Sequence, residues 1–306
     1  MPPHIALITP MKNEEKYIEG MLRSILEQEV KPDLWVIVDD GSTDGTPEIL
    51  QRYCLKAPFI QVVQLPQRSV RRPGGEGAIA SGMERISVPD FDFIARFDAD
   101  LLFERSYFAR ILSEFARDDR LGIAGGGLYV EQDRKPVLER APGYHVRGAL
   151  KMYRRECFEQ LGGLGTEIGW DTIDEVMAWS FGWKTRSFPE IAVIHRRPTG
   201  SGLNAARVFH ERGRAEYLTW SHPVFAGLKT VGMAARSPVN AWNFAGGMIA
   251  SYRRRDARIQ APAFRRARRK QQLDRMLYAL FPAIARKDTT QRSRTTKEEA
   301  TPLSGL

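Results

Sequence analysis

The first part of the chain alternates between short apolar segments and helical patterns, and this alternation restricts the fold more than any other feature. In the helical patterns apolar residues recur every three or four positions, which is typical of a helix with one buried face. Strands separated by helices over about 115 residues predict a mostly parallel, doubly wound α/β sheet of Rossmann-like layering. The four predicted strands are Ile5–Thr9, Leu34–Val38, Phe59–Leu65 and Phe91–Phe97.

The later sequence predicts a second half of the same domain and a helical extension. After Gly122 the elements become shorter, with a helix near Trp170–Gly182 and two short strands over Lys184–Ile194, broken at Pro189. From Arg207 onward the apolar spacing is helical. We therefore expect a domain at 1–205, with halves at about 1–120 and 121–205, a helical extension at 206–285 and a polar, disordered tail at 286–306.

The net charge of +9 is concentrated at one end of the chain. Residues 251–306 contain 15 Lys and Arg against 5 Asp and Glu, whereas the other 250 residues contain 31 against 32. A nearly neutral body argues against a nucleic acid partner, and the basic end favours attraction to an anionic membrane surface. The basic run follows an apolar stretch with Trp242 and Ile249, as in interfacial helices, although a solvated helix face would look the same.

Cysteine content and hydropathy indicate the compartment. Cys54 and Cys157 are too few for a disulfide framework and lack metal-ligand spacing, so a reducing compartment is expected. The start of the chain lacks the cationic and apolar regions of a secretory signal. Ser237–Tyr252 is uncharged but shorter than the roughly 20 residues that a spanning helix needs. We expect a cytoplasmic protein, either free or peripheral on the cytoplasmic membrane face.

Acidic residues follow two of the predicted strands. Asp39 and Asp40 follow the second strand, and Asp98 and Asp100 follow the fourth. In open α/β sheets ligands bind outside the carboxyl ends of the strands, so these side chains are predicted to meet in one crevice. Four carboxylates repel one another unless a cation lies among them, which implies a divalent metal. The Asp-x-Asp pair suits Mg²⁺ or Mn²⁺ bound to a diphosphate.

The chain resembles the family 2 glycosyltransferases, which have the GT-A fold. The similarity spans roughly residues 4–200 and rests on five segments in the family's order and spacing: ITPMKNEEKYIEGMLRSIL, VIVDDGSTDGT, RRPGGEGAIASGM, FDADLLF and GWDTIDEVMAWSFGWKT. The resemblance implies transfer of a sugar, with inversion, from a nucleoside-diphosphate sugar to a glycan or lipid-linked acceptor. It also implies that the first half of the domain binds the donor and the second half the acceptor.

The resemblance assigns the donor-binding residues. Pro10, Asn13 and Glu14 match the family's first loop, and Asp39 and Asp40 match its nucleoside-binding acid pair. The alternative for the acid pair is a turn rich in Asp and Gly. Arg71 and Arg72, before a glycine-rich turn, could contact phosphate oxygens or lie in a solvated loop.

The resemblance also assigns the metal site. Asp98 and Asp100 match the family's DxD motif, in which Asp100 would bind the metal and Asp98 would bind the ribose or the metal. Strand alternation would place both side chains on one face, and a helix cap is the alternative. His195 occupies a position where several relatives carry a metal- or phosphate-facing histidine, although a lone histidine is more often a surface residue.

The catalytic acid is expected at the start of the Trp170–Gly182 helix. Asp171, Asp174 and Glu175 share one helix face, where an Asp cap with a following acid would be a structural explanation. In relatives the catalytic acid lies eleven residues before the glycine of a Gly-Trp pair, a place that Asp171 occupies before Gly182. Asp171 is therefore the favoured catalytic acid, and Asp174 remains the alternative.

Three other functions remain as alternatives. A polyprenyl-phosphate sugar transferase has the same domain type and a membrane-proximal acceptor. A nucleotidyltransferase needs a basic, glycine-rich loop after the first strand, whereas TPMKNEE is acidic. A non-catalytic binding protein would use the basic end as its contact surface, but the full set of carboxylates argues against it.

Overall fold

The computed structural model describes residues 2–67, 76–132, 135–139, 141–165, 169–197 and 204–280. The chain forms two compact units, Met1–Ala205 and Ala206–Leu306. Within these described ranges the first unit is an α/β domain and the second is helical.

The described residues of the first unit form a mixed sheet of nine strands. Their order across the sheet is β3-β2-β1-β4-β8-β6-β9-β5, with β7 paired to β6. The first four of these pair in parallel, as do β6 and β9, whereas β8 joins β4 and β6 antiparallel. The strands are β1 Ile5–Met11, β2 Leu34–Asp39, β3 Ile60–Gln64, β4 Phe93–Phe97, β5 Leu101–Phe103, β6 Leu121–Gln132, β7 Lys135–Leu138, β8 Leu150–Arg154 and β9 Lys184–His195.

Helices cover both faces of this sheet. Alternate residues of β1 enter different cores, since Ile5 and Leu7 pack with one cluster and Ala6 and Ile8 with the other. The first cluster includes residues of α1, α2 and α4, and the second includes residues of α3, α5 and α6. The predicted α/β class and double winding are therefore confirmed. The helices are α1 Ile18–Leu26, α2 Thr46–Cys54, α3 Glu76–Met83, α4 Tyr107–Arg117, α5 Arg155–Leu161 and α6 Trp170–Ser180.

The prediction of two short strands separated at Pro189 was wrong, because the separation is absent from the described strand. The segment forms one continuous strand, β9, but its pairing with β6 jumps from Gly126↔Phe188 to Gly127↔Ala192. The bulge brings the backbone of Pro189 against Gly127, where an added Cβ would lie 2.7 Å from the Pro189 Cα. The glycine is needed because a side chain would collide with this backbone.

The described part of the second unit forms four helices, which are α7 Ala205–Leu218, α8 Pro223–Ala234, α9 Pro238–Arg254 and α10 Pro262–Leu280. Helices α7 and α9 touch through their backbones, because an added Cβ at Gly213 would lie 1.9 Å from the Phe244 carbonyl oxygen and one at Gly247 equally close to that of His210. Across the described ranges, every helix is too short or too polar to cross a bilayer.

Candidate active site

The loops after β1 and β2 are hydrogen-bonded to each other. The Asn13 amide oxygen accepts from the Thr43 backbone N–H at 2.8 Å, and the Asn13 N–H donates to the Ser42 hydroxyl at 2.8 Å. Asn13 has a φ of 56°, a left-handed conformation that Asn tolerates better than most residues. The Asp39 carboxylate accepts from the Ser42 N–H at 2.9 Å. These contacts make the two predicted donor-binding loops one structural element.

The other members of the predicted donor set lie beside these loops. Pro10 is in β1 and pairs with Val38 of β2. Asp40 directly follows β2 and is buried, and its N–H donates to the Met11 carbonyl at 2.9 Å. Glu14 is also buried, and its N–H donates to the Thr46 hydroxyl at 2.9 Å.

The Asp-x-Asp pair lies in the turn between β4 and β5. Strand alternation therefore does not apply to it, and the two side chains differ in exposure and in their nearest cation. Asp98 is partly exposed and lies 3.9 Å from Arg96, whereas Asp100 is buried, 2.9 Å from Arg197 and 3.4 Å from the Nε2 atom of His195. The use of strand alternation to place the two side chains was wrong, because the strand ends at Phe97.

The pKa values of the two carboxyls shift in opposite directions. Loss of surrounding water raises the pKa of the partly exposed Asp98, against the attraction of Arg96, and the neighbouring Asp100 charge raises it further. Burial also opposes ionisation of Asp100, but the neighbouring His195 and the charge of Arg197 outweigh it and lower the pKa of Asp100. Asp100 is thus held as a carboxylate at neutral pH.

Asp100 and His195 are the groups suited to a divalent ion. A carboxylate oxygen and an imidazole nitrogen 3.4 Å apart can share one cation, and the Asp100 oxygen that faces His195 is buried with no hydrogen-bond partner among the described residues. Among the described residues, no group of three or more His, Cys, Asp or Glu side chains lies close enough together to hold a metal ion. The protein thus offers a partial ligand set, which fits an ion whose other ligands come from a diphosphate or water.

Helix α6 presents three acids that differ sharply in their surroundings. Asp174 is buried, with Lys151 donating to one oxygen at 2.7 Å and Tyr153 to the other at 2.5 Å. Glu175 is also buried and accepts from the Val146 N–H at 2.7 Å. Burial, with the nearby Glu175 charge, raises the pKa of Asp174 to about 6 despite the opposing Lys151.

Asp171 differs from both neighbours. It is partly exposed in the first turn of α6, and no described residue forms a hydrogen bond with its carboxylate. Its backbone carbonyl accepts from Lys151 at 2.5 Å, so Lys151 holds the start of the helix.

The Glycosyl transferase family 2 profile matches residues 6–165, just over half of the chain. The chain belongs to this family. This glycosyltransferase is therefore an enzyme, as predicted, and the family assignment favours sugar transfer over nucleotidyl transfer or simple binding.

Named relatives of this family 2 glycosyltransferase match only part of their own length. The beta-monoglucosyldiacylglycerol synthase of Synechocystis sp. is 29% identical over 171 residues, which are 53% of this chain and 33% of the relative. The putative teichuronic acid biosynthesis glycosyltransferase TuaG of Bacillus subtilis is 43% identical over 67 residues, 22% of this chain and 27% of the relative. The chain thus spans about a third or less of these two proteins.

Solved structures support the GT-A fold. The mannosyltransferase PcManGT from Pyrobaculum calidifontis, in complex with GDP-Man and Mn²⁺, superposes with a TM-score of 0.55 at 19% identity, covering 96% of this chain and 85% of that one. S. aureus TarS 1–349 in complex with UDP-GlcNAc gives a TM-score of 0.52 at 16% identity, covering 70% of this chain and 66% of that one. These likenesses show the fold of the glycosyltransferase.

Sequence reasoning missed three cations of this glycosyltransferase. Arg197 lies 2.8 Å from Glu14 and 2.9 Å from Asp100. Lys151 is fully buried beside the acids of α6, and the Arg96 guanidinium stacks 4.0 Å from the Trp170 ring centroid. The sequence contains a signal for two of them, because Arg96 and Lys151 each interrupt an apolar strand, in FIARF and LKMY. A charged residue in such a strand indicates a buried partner. The predicted phosphate contacts Arg71 and Arg72 lie outside the described residues.

Proposed function

We propose that this glycosyltransferase moves a sugar from a nucleoside-diphosphate sugar to a hydroxyl group of a glycan or lipid-linked acceptor, with inversion. The supporting observation is that one guanidinium, of Arg197, contacts both Glu14 and Asp100. The loop after β1 and the acid after β4 therefore border one space at the carboxyl edge of the sheet. Ligands of open α/β sheets bind at this edge.

The nucleoside of the donor would lie against the interlocked loops. Carboxylate oxygens accept hydrogen bonds from base N–H groups and ribose hydroxyls, which suits the buried acids of these loops. Two related structures contain GDP-Man with Mn²⁺ and UDP-GlcNAc, and this supports the same class of donor here. The proposed donor contacts are Pro10, Asn13, Glu14, Asp39, Asp40 and Asp98, with Arg71 and Arg72 on the phosphates.

Asp100 and His195, with Asp98 nearby, are the proposed ligands of Mg²⁺ or Mn²⁺. Such an ion would neutralise negative charge that develops on the departing diphosphate. Asp100 suits this role because it is ionised and buried at the edge where the donor would bind. The ion would replace the Arg197 guanidinium next to Asp100.

Asp171 is the proposed general base. Its carboxylate would accept the proton of the acceptor hydroxyl as that oxygen bonds to the anomeric carbon and the bond from that carbon to the diphosphate breaks. Attack from the face opposite the diphosphate inverts the configuration. Asp174 is less suited, because Lys151 and Tyr153 occupy its two oxygens.

Both cysteines are free thiols, which supports the proposal that the enzyme works in the cytoplasm or at the cytoplasmic membrane face.

Thermal-shift and transfer assays test this function. We expect one uridine or guanosine diphosphate sugar, with Mn²⁺, to raise the melting temperature of the full chain. Asp171→Asn should keep this shift but lower transfer roughly 10²–10⁴-fold, as loss of a general base does. Saccharide and polyprenyl-phosphate acceptors are compared to separate the two acceptor classes.

Two outcomes would contradict the proposal. The first is the absence of a thermal shift with every nucleotide sugar tested. The second is wild-type transfer by Asp171→Asn. Asp174→Asn is the matched variant, and it should lower the melting temperature because it leaves Lys151 without a charged partner on that oxygen.

A further inference from the structure

Helices α8 and α9 follow one another and differ in composition from the rest of the second unit. Over Pro223–Tyr252 the charged residues are Lys229 and Arg236, and acidic residues are absent. Lys229 is paired with Glu216 at 2.5 Å, so its charge is compensated within the unit. The segment is therefore an apolar helical hairpin. Its other charged residue, Arg236, forms no ion pair with a described residue.

The inner and outer faces of the hairpin are clearly divided. Inner residues such as Ala226, Phe244 and Gly247 are buried, so both helices are packed into the unit. The outer faces nevertheless carry large apolar side chains in solvent, with Leu228 59%, Val231 68%, Val239 67% and Trp242 80% exposed. Val224, Leu228 and Val231 follow i, i+4, i+7 spacing, which defines one continuous stripe along α8.

Exposed arginines lie at both ends of α9, which carries part of this apolar surface. Residues 206–280 contain 15 Lys and Arg against 4 Asp and Glu. An excess of positive charge remains after Arg258, Arg265 and Arg268, which are held within the unit, are set aside. Arg236 lies in the turn between the helices, and Arg253 and Arg255 lie at the end of α9, all three exposed. A partner that binds here must therefore have an apolar layer for the exposed side chains and negative charge for the arginines. Two copies of the unit would repel each other across this surface, because each carries the same excess of positive charge.

An anionic bilayer provides both properties. An amphipathic helix lying in the interface inserts its apolar face among headgroups and upper acyl chains, and basic residues bind anionic lipids. Tryptophan is enriched at this depth because its ring is apolar and its N–H is polar. Neither α8 nor α9 is long and apolar enough to span a bilayer, so a position in the interface is the arrangement available to them.

We propose that the outer faces of α8 and α9 form a membrane-docking surface for anionic lipid bilayers, with Leu228, Val231, Val239 and Trp242 inserted. The insertion is made by this hairpin and not by the basic run that follows it. This proposal does not depend on the proposed function, because membrane docking and sugar transfer are measured in separate experiments.

Vesicle flotation with the full chain tests the proposal. Wild type should float with vesicles of phosphatidylcholine and phosphatidylglycerol in equal parts and bind pure phosphatidylcholine about tenfold more weakly. The double variant Leu228→Glu, Trp242→Glu should lower binding to the anionic vesicles at least about tenfold. Leu55→Glu is the matched control, because Leu55 is 85% exposed but lies in the first unit, and it should bind as wild type does.

Two results would overturn the proposal. In the first, the double variant floats like wild type and high salt alone releases both proteins, which would assign binding to charge without insertion. In the second, wild type does not float and light scattering shows a dimer that the double variant lacks, which would assign the surface to a second copy. Circular dichroism confirms that the variants are folded.

Discussion

At the residue scale, neighbouring acids that look alike in sequence have different chemical environments. Asp171 and Asp174 are three positions apart in one helix, yet Lys151 and Tyr153 donate to the carboxylate of Asp174, whereas no described residue donates to that of Asp171. The difference comes from β8, which supplies Lys151 and Tyr153 from about 20 residues earlier. Helical spacing alone could not distinguish the two acids.

Arg197 gives a prediction for metal affinity. The guanidinium compensates Glu14 and Asp100, which are both buried. A divalent ion must compete with it, so Arg197→Ala should bind Mn²⁺ about tenfold more tightly in the absence of nucleotide, measured by calorimetry or electron paramagnetic resonance. Without metal, this variant should also melt at a lower temperature, because two buried carboxylates each lose an ion-pair partner.

Arg110→Ala is the control for this prediction. Arg110 pairs with Glu104 and donates to the Glu190 carbonyl at 2.8 Å, so its removal breaks an ion pair outside the proposed site. Its Mn²⁺ affinity should equal that of wild type. Unchanged Mn²⁺ affinity in Arg197→Ala would show that Arg197 does not compete with the ion.

At the element scale, the strands and helices of the parallel half were predictable because each has its own local signature. Predicted strands such as Leu34–Val38 differ from the observed ones by only a residue or two at the ends. The continuous β9 was not predictable, because Pro189 is a local break signal whereas pairing with β6 on both sides of the bulge is not local. Tertiary pairing outweighed the local signal.

The crossing of α7 and α9 gives a prediction for stability. Gly213→Ala would place a Cβ 1.9 Å from the Phe244 carbonyl oxygen, so the helices must separate, at a cost of about 2 kcal/mol or more in the free energy of unfolding. In α9, Gly246 has open space around its Cβ position, so Gly246→Ala should be stabilising by about 0.5–1 kcal/mol. Chemical denaturation followed by circular dichroism measures both, and equal effects would contradict the close crossing.

At the scale of the whole molecule, the arginines of the basic end either pack within the helical unit or remain on its surface, and composition cannot separate these two groups. Arg258 and Arg265 stack on Trp220 at 4.3 and 4.4 Å, and Arg268 is buried against Glu216 at 3.1 Å. These arginines stabilise the helical unit and are less available for an anionic partner. The charge count therefore overstates the free cationic surface.

Glu216 gives a prediction for acid sensitivity. Burial raises its pKa, but Lys229 and Arg268 outweigh burial and lower it to about 2 from 4.5. A lowered folded-state pKa stabilises the protein above the unfolded-state value, so up to about 3 kcal/mol should be lost as pH falls from about 4.5 towards 2. The stability difference between wild type and Glu216→Gln should narrow over this range, measured by denaturation at each pH.

Thr230→Ala is the control for the pH series, because it removes a neutral hydrogen bond to the Ala226 carbonyl. Its stability difference from wild type should stay constant with pH. A wild-type to Glu216→Gln difference that is also constant would show that Glu216 is not the acid-sensitive group.

The sequence by itself determined the family, the α/β class, the enzyme class and most element positions, because periodicity, strand-end acids and motif order are properties of neighbouring residues. The tertiary structure decided which acids are available. Arg197 reaches Glu14 across 183 residues and Lys151 reaches Asp174 across 23, and such pairs carry no local signature. The reason is physical: burial and the charge of distant partners set the state of a carboxylate, and only the folded chain brings those partners together.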